Sequence, residues 1–210
     1  MSFAMQGSLL DLDDAPTLHD LPRGLTRTQL TAGAWVDLRP GWLTGGDRLF
    51  DVLHHKVPWR AERRQMYDNV VDVPRLTRFY DVGEALPHPM LVTVREALSD
   101  HYEADLGERF VTAGLCLYRD GRDSVAWHGD RIGRSTTEDT MVAILSIGSA
   151  RPLLLRPRSG GAATLRLPLG HGDLLVMGGS CQRTWDHAIP KTNKDVGPRI
   201  SIQFRMRGVR

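Results

Sequence analysis

The chain has 210 residues, 41% of them hydrophobic and 25% charged, with 27 Lys and Arg against 25 Asp and Glu and a formal charge of +2. This is the make-up of one ordinary soluble domain that can bury a core without staples, and it excludes a disordered, collagenous or coiled-coil chain. The longest apolar runs fall far short of the ~18 residues a membrane span needs. Residues 1–20 carry four acids and no Lys or Arg, which argues against a secretory leader, and two cysteines, Cys116 and Cys181, suit free thiols in a reducing cytoplasm.

Residues 1–33 show no strong periodicity and read as an N-terminal arm or leading strand before a domain over 34–210. Leu43, Leu49, Phe50, Val52 and Leu53 then recur at near-helical spacing, with Thr44 as the cap and Pro58 as the stop. Residues 59–80 are polar, basic and aromatic and read as strand and loop. Pro87 and Pro89 precede a second amphipathic helix carrying Met90, Leu91, Val94, Ala97, Leu98 and Tyr102. From there short apolar runs alternate with Gly and Pro turns: Leu115 to Tyr118, Met141 to Ile147, Leu153 to Leu155, Leu165 to Leu169, Leu174 to Met177, and Ile200 to Phe204. Strands at this spacing predict a mainly β fold, a jelly-roll barrel flanked by helices.

Charge is uneven. Residues 183–210 hold seven bases against two acids, 151–166 four bases and no acid, and 54–80 six bases against three acids. Basic stretches in a nearly neutral domain suit a polyanionic partner, whose phosphates attract Lys and Arg.

One motif carries metal chemistry. With 8 His and 25 acids in the chain, about one H-x-[D/E] is expected by chance. Three occur: His101-Tyr102-Glu103, His128-Gly129-Asp130 and His171-Gly172-Asp173. The first falls at a helix end, where i and i+2 point apart. The third sits between two apolar runs and reads as a tight turn. In the second, β-like context puts i and i+2 on one face, so His128 and Asp130 can converge on one ion. A later histidine could complete a two-His-one-carboxylate set that leaves positions open on iron, and His187, 12 residues before Arg199, is close enough for an adjacent strand to bring it there. The C-terminal strand supports this: Arg199, Ser201, Gln203 and Arg205 alternate with Ile200, Ile202 and Phe204. Period two puts both arginines on one face, an arrangement suited to a dianion.

These residues lie within a longer pattern. It comprises Val57-Pro58-Trp59; Pro74-Arg75-Leu76-Thr77 with Tyr80; Leu117 to Gly121 leading through Asp123-Ser124-Val125 to Trp127-His128-Gly129-Asp130; Leu169 to Leu175; Trp185-Asp186-His187; and Pro198-Arg199 through Phe204-Arg205. In this order, over roughly residues 35–206, the chain resembles the AlkB-type, 2-oxoglutarate- and Fe(II)-dependent dioxygenases. It is most similar to the animal DNA- and RNA-repair branch and bacterial relatives of it. The joint pattern H-x-D, distant H, then R-x5-R is far more specific than any of its parts.

The resemblance implies a double-stranded β-helix (jelly-roll) core and the cofactors Fe(II), 2-oxoglutarate and O2. It implies that His128, Asp130 and His187 ligate the metal and that Arg199, with Tyr118, holds the distal carboxylate of 2-oxoglutarate. Arg205 belongs to the metal-proximal end. Cys116 and Ser201 stand at co-substrate positions where the family usually has Asn, and Arg131 to Arg134 follow H-x-D where repair members carry acids. The implied reaction is oxidative demethylation of N-alkylated bases in single-stranded DNA or in RNA, releasing succinate, CO2 and formaldehyde. A target base must leave the stack to be reached. Trp59, Tyr67 and Tyr80 are candidates to stack on it, and Arg63, Arg64, Arg75, Arg78, Arg131 and Arg134 to contact phosphate. Trp127 and Trp185 are expected to pack behind the metal ligands. The expected protein is a cytoplasmic monomer. Two other readings use the same residues: the same chemistry on a protein or small molecule, or a non-catalytic nucleic-acid-binding barrel.

Overall fold

The structure, a computed structural model, describes residues 15–66, 69–131, 133–160, 162 and 164–209. In chain order these form β1 (Thr17–Leu18), β2 (Thr26–Gln29), β3 (Ala34–Arg39), β4 (Leu43–Thr44), α1 (Asp47–Lys56), β5 (Arg60–Met66), β6 (Asn69–Tyr80), α2 (Pro89–Leu106), β7 (Thr112–Tyr118), β8 (Val125–His128), β9 (Val142–Gly148), β10 (Arg151–Pro157), β11 (Leu165–Leu169), β12 (Asp173–Gly179), α3 (Cys181–Thr184), β13 (Trp185–Ile189) and β14 (Arg199–Arg205). Eight strands form a major sheet in the order β2-β3-β12-β9-β14-β7-β6-β5, and four form a minor sheet, β11-β10-β13-β8. All of their pairings are antiparallel. This is the expected jelly roll: two sheets face to face, with helices behind one of them. Among the described residues no helix is long and apolar enough to cross a membrane.

The period-two alternation of the central strands sorts their side chains into two cores. Leu115 and Leu117 of β7, Ala143, Leu145 and Ile147 of β9, Leu174 and Val176 of β12, and Ile200, Ile202 and Phe204 of β14 pack towards the helices. They meet Leu49 and Leu53 of α1 and Leu91, Val94, Leu98 and Tyr102 of α2. Those helical spacings, i, i+3 and i+4, put one apolar stripe on each helix. Each fully buried Leu or Val contributes about 1.5–3 kcal/mol relative to exposure. The opposite faces supply Cys116, Tyr118, Val142, Ile144, Leu175 and Met177, which meet Leu153, Leu155, Leu169, Trp185 and Ile189 between the sheets.

The helix boundaries show what the sequence holds locally. Pro89 opens α2, and the His88 side chain accepts from the Met90 amide at 3.1 Å, satisfying one of the orphan donors of the first turn. The cap expected at Thr44 is corrected: Leu43–Thr44 is the short strand β4, paired with Thr17–Leu18, and α1 begins only at Asp47. In the stretch 59–80, Arg60–Met66 and Asn69–Tyr80 are β5 and β6, paired antiparallel. Within 15–33, β2 is stitched to β3 as the edge of the major sheet. Residues 1–14 of the expected arm lie outside the described residues.

His171-Gly172-Asp173 is a strand-to-strand turn, as its glycines imply. Gly172 has φ +79°, and a Cβ there would lie 2.0 Å from the Leu43 carbonyl oxygen. His171 Nδ1 accepts from the Gly148 amide, and Asp173 accepts from the amides of Gly41 and Gly170.

Candidate metal and co-substrate centre

His128 ends β8 and His187 lies on β13, and the two are directly paired across the minor sheet. Their ring centroids are 4.2 Å apart. The register shifts between His187↔His128 and Ile189↔Val125. Three residues of β8 thus span two of β13, and both Val125 and His128 line the cavity between the sheets. Asp130 is not on the strand. The expected i, i+2 convergence along a strand is therefore corrected: β8 stops at His128, and a tight turn brings the carboxylate back. Gly129 allows that turn, because a Cβ there would sit 2.5 Å from the Gln182 carbonyl oxygen. The buried Gln182 side chain then accepts from the Asp130 amide at 2.9 Å.

His128 Nε2 lies 3.7 Å from Asp130 Oδ1, and the ligand atoms of His128, Asp130 and His187 all fall within 4.8 Å of one another. Among the described residues this is the one group of His, Cys, Asp and Glu close enough to hold a metal. Two nitrogens and one oxygen with an open side suit Fe(II). Protonation favours ligation. The Ala126 carbonyl can only accept, so His128 donates to it from Nδ1 at 2.9 Å, which leaves Nε2 facing Asp130 as the ligand atom. Burial, and then the neighbouring His128, push His187 down to about 3, so its imidazole is neutral. Burial alone would raise Asp130, but the Arg205 guanidinium and the two imidazoles outweigh it and hold the carboxyl well below the usual range.

Arg199 stands on the inward face of β14, opposite Tyr118 on β7 and Gly148 on β9. It is buried, and its Nε donates to Ser146 Oγ at 2.9 Å. Its guanidinium carbon lies 5.3 Å from the Tyr118 ring centroid. Its two terminal nitrogens have no hydrogen-bond partner. A buried guanidinium without a carboxylate is costly unless an anion completes it. Burial lowers its pKa, with the Tyr118 oxygen as a partial offset. Tyr118 is pushed up to about 12, chiefly by burial and then by Cys116, so its hydroxyl stays a donor. These orphaned donors open on the same cavity of about 240 Å³ as the metal triad. The residues present thus fit a dianionic keto acid beside a ferrous ion.

Cys116 and Ser201 face each other across β7 and β14, and Gln203 joins them to the metal end. Its amide nitrogen lies 3.7 Å from Cys116 Sγ and 3.4 Å from Ser201 Oγ, and its oxygen accepts from Arg205. Arg205 lines the same cavity. It donates twice to Asp130, and so holds a metal ligand in place.

Of the candidate substrate residues, Arg75 and Arg131 line the cavity. Trp59 and Tyr80 do not: Tyr80 is buried in the helix-side core, and Trp59 packs against that core and donates to the His54 carbonyl at 3.0 Å. Arg134 is held by Glu108 and Glu138, and Arg78 by Glu84. Tyr67 lies outside the described residues, and so do the side chains of Arg63 and Arg64. Trp185 is buried between the sheets, and Trp127 lies under the Arg156 guanidinium at 4.3 Å.

Three functional residues escaped the sequence reading. Ser146 interrupts the otherwise apolar run Val142–Ile147, a polar break that marks it. Gln182 had no signal. Arg151 was visible only as charge. It is buried, and its terminal nitrogens donate to the carbonyls of Asp120, Asp123 and Pro190, tying together the loops beside Tyr118.

Comparison with known proteins agrees with this geometry. The family model described as 2OG-Fe(II) oxygenase superfamily matches residues 49–205. The chain is 33% identical to alpha-ketoglutarate-dependent dioxygenase alkB homolog 3 of Bos taurus, over 88% of this chain and 67% of that protein. The Homo sapiens homolog 3 is 31% identical over 96% of this chain and 73% of its own length. The DNA oxidative demethylase ALKBH2 of Homo sapiens is 29% identical, over 76% and 67%. Among solved structures, that of OsALKBH1 superposes with a TM-score of 0.61 at 13% identity, covering 86% of this chain and 99% of that one, a likeness of fold. The chain belongs to the 2OG-Fe(II) oxygenase superfamily, within its AlkB branch, and the cofactors of that family are Fe(II), 2-oxoglutarate and O2.

Proposed function

We propose that this protein oxidatively demethylates N-alkylated nucleobases in single-stranded DNA or RNA, coupled to conversion of 2-oxoglutarate to succinate and CO2 with release of formaldehyde. The observation that carries the reading is the buried Arg199, with two unpartnered nitrogens, in the same cavity as the convergent His128, Asp130 and His187. The nucleic-acid substrate is supported by the DNA demethylase among the relatives and by the basic stretches of the chain.

Iron, with 2-oxoglutarate and O2, supplies the oxidation of an N-methyl carbon when bound. The chain does the positioning. His128, Asp130 and His187 hold the ion, and Arg205 keeps the Asp130 carboxylate charged and oriented. Arg199 takes the distal carboxylate of 2-oxoglutarate in a charge-assisted pair, with the Tyr118 hydroxyl as a further donor. Val125, Ile144, Leu153 and Ile189 form apolar cavity walls that exclude water. Arg75 and Arg131 border the remaining space, where an unstacked base enters.

The test is incubation of the iron-loaded protein with 2-oxoglutarate, ascorbate and methylated single-stranded DNA and RNA oligonucleotides. Succinate and the loss of one methyl per lesion are read by mass spectrometry. The reading predicts both products in equal amount. Succinate without any demethylated oligonucleotide would sink the nucleic-acid substrate and leave a small-molecule or protein oxygenase.

A further inference from the structure

The cavity is lined by four arginines, Arg75, Arg131, Arg199 and Arg205, against one carboxylate, Asp130. Asp130 is already paired with Arg205. Fe(II) and the 2-oxoglutarate dianion cancel each other. The Arg199, Arg75 and Arg131 charges then remain, against Glu62 near Arg75 and Asp186, whose Oδ1 is 3.7 Å from Arg131 and makes no hydrogen bond. With its cofactors bound, the pocket is therefore cationic. Arg131 follows directly on Asp130 and lines the same cavity as the triad. Its other terminal nitrogen, Nη1, is buried and has no hydrogen-bond partner. A buried donor of this kind gains most from an acceptor on the ligand and loses most against another donor.

Methylated bases divide by this chemistry. N1-methyladenine and N3-methylcytosine are cations, and an amino group flanks the methylated nitrogen. N3-methylthymine and N1-methylguanine are neutral; a carbonyl oxygen stands beside the methylated nitrogen in both, as it also does in N3-methylcytosine, so charge is what separates the two pairs. We infer that this cavity selects neutral N-methyl bases over cationic ones, with Arg131 as the specificity-determining residue. The inference rests on the nucleobase reading above. Arg131 repels a base that carries positive charge, and a neutral base brings a carbonyl acceptor to its unpartnered Nη1 without that repulsion.

The test uses four single-stranded oligonucleotides of one sequence, each with one of these lesions, and an unmodified control. Binding to the Mn(II)-loaded protein is read by fluorescence anisotropy at fixed salt, and turnover of the iron form by mass spectrometry. Wild-type protein is expected to favour the neutral pair by about tenfold in binding and in kcat/KM. Arg131→Glu is expected to reverse the order, and Arg131→Met to flatten it. If the wild type binds and demethylates the cationic pair as well as or better than the neutral pair, the inference is overturned, whether or not the variants fold. If the order survives Arg131→Met in protein with a wild-type circular dichroism spectrum, Arg131 is not the determinant. A protein that makes succinate but demethylates none of the four fails the nucleobase reading instead, a distinguishable outcome.

Discussion

Arg205 donates to the Oδ2 atom of Asp130 from Nε at 2.9 Å and from a terminal nitrogen at 2.7 Å. Both side chains are buried, so the pair leaves Oδ1 turned to His128 as the ligand oxygen. Replacing Arg205 with Met leaves a buried carboxylate without its partner. Metal affinity should fall by about 10–100-fold, the usual cost of removing the group that orients a ligand. Arg205→Lys should recover only part, because a single ammonium cannot reproduce the two-pronged contact. Calorimetric titration with Mn(II) measures both. Unchanged affinity in Arg205→Met would show that Asp130 is positioned by the Gln182 contact alone.

Arg199 makes an opposite prediction for stability and function. Its buried terminal nitrogens lack partners in the absence of co-substrate. Arg199→Met keeps most of the volume and removes an unpaired buried charge, so the apo protein should be unchanged or more stable by about 1–2 kcal/mol. The same change should abolish the thermal stabilisation by 2-oxoglutarate expected of the wild type and raise its KM strongly. Melting curves with and without 2-oxoglutarate test both halves. A variant that is less stable without ligand and still stabilised by 2-oxoglutarate would remove Arg199 from the anion site.

The ease of reading these residues in sequence varied for physical reasons. β14 was legible because its alternation of Arg, Ser, Gln and Arg with Ile, Ile and Phe is a local signal, and the two faces are sorted as that period demands. α2 was legible from Pro89 and its apolar stripe. β8 was read only as β-like context around His128, and β13 was not read as a strand of its own, because Asp186 and His187 interrupt its apolar pattern. What brings those residues together is a long-range register, His187 opposite His128. Arg205 was placed at the metal-proximal end because its face was evident; its contact with Asp130, 75 residues away in sequence, had no local signal. Trp59 and Tyr80 looked like stacking residues because aromatic character does not reveal which side of a sheet a ring occupies. Both belong to the helix-side core.

A second buried carboxylate bears on stability. Asp37 on β3 is fully buried. It accepts from Arg27 Nε at 2.7 Å, from an Arg27 terminal nitrogen at 2.8 Å and from the Tyr102 hydroxyl at 2.9 Å. The cluster joins β2, β3 and α2. Burial, then the Asp37 carboxylate, push Tyr102 far up, so its hydroxyl remains a donor at any physiological pH. Tyr102→Phe removes one donor and should cost about 1–2 kcal/mol. Arg27→Met strands the carboxylate and should cost more, about 2–3 kcal/mol, the solvent-facing side of Arg27 reducing the full penalty of a broken buried pair. Urea denaturation monitored by tryptophan fluorescence ranks the two. An Arg27→Met protein as stable as wild type would show that the carboxylate finds water instead.

Gly129 carries the metal site in its backbone. An added Cβ would lie 2.5 Å from the Gln182 carbonyl oxygen and 3.2 Å from that of Trp185. Both are backbone atoms, so neither can swing away as a side chain would. Gly129→Ala must therefore push the 128–130 turn from the 182–185 segment. His128 and Asp130 flank the first, and His187 follows the second. The substitution should reduce Mn(II) affinity by at least about tenfold while lowering stability only by the amount typical of a local strain, about 1–3 kcal/mol. Gly170→Ala is the control, because a Cβ there meets only the Asp173 side chain, at 3.3 Å, in a turn away from the ligands. It should leave metal binding at the wild-type value. Calorimetry and melting curves on both variants separate loss of ligand spacing from loss of fold. Wild-type Mn(II) affinity in a folded Gly129→Ala protein would mean that the turn can relax by another route, and that glycine is not what sets the distance between the two halves of the site.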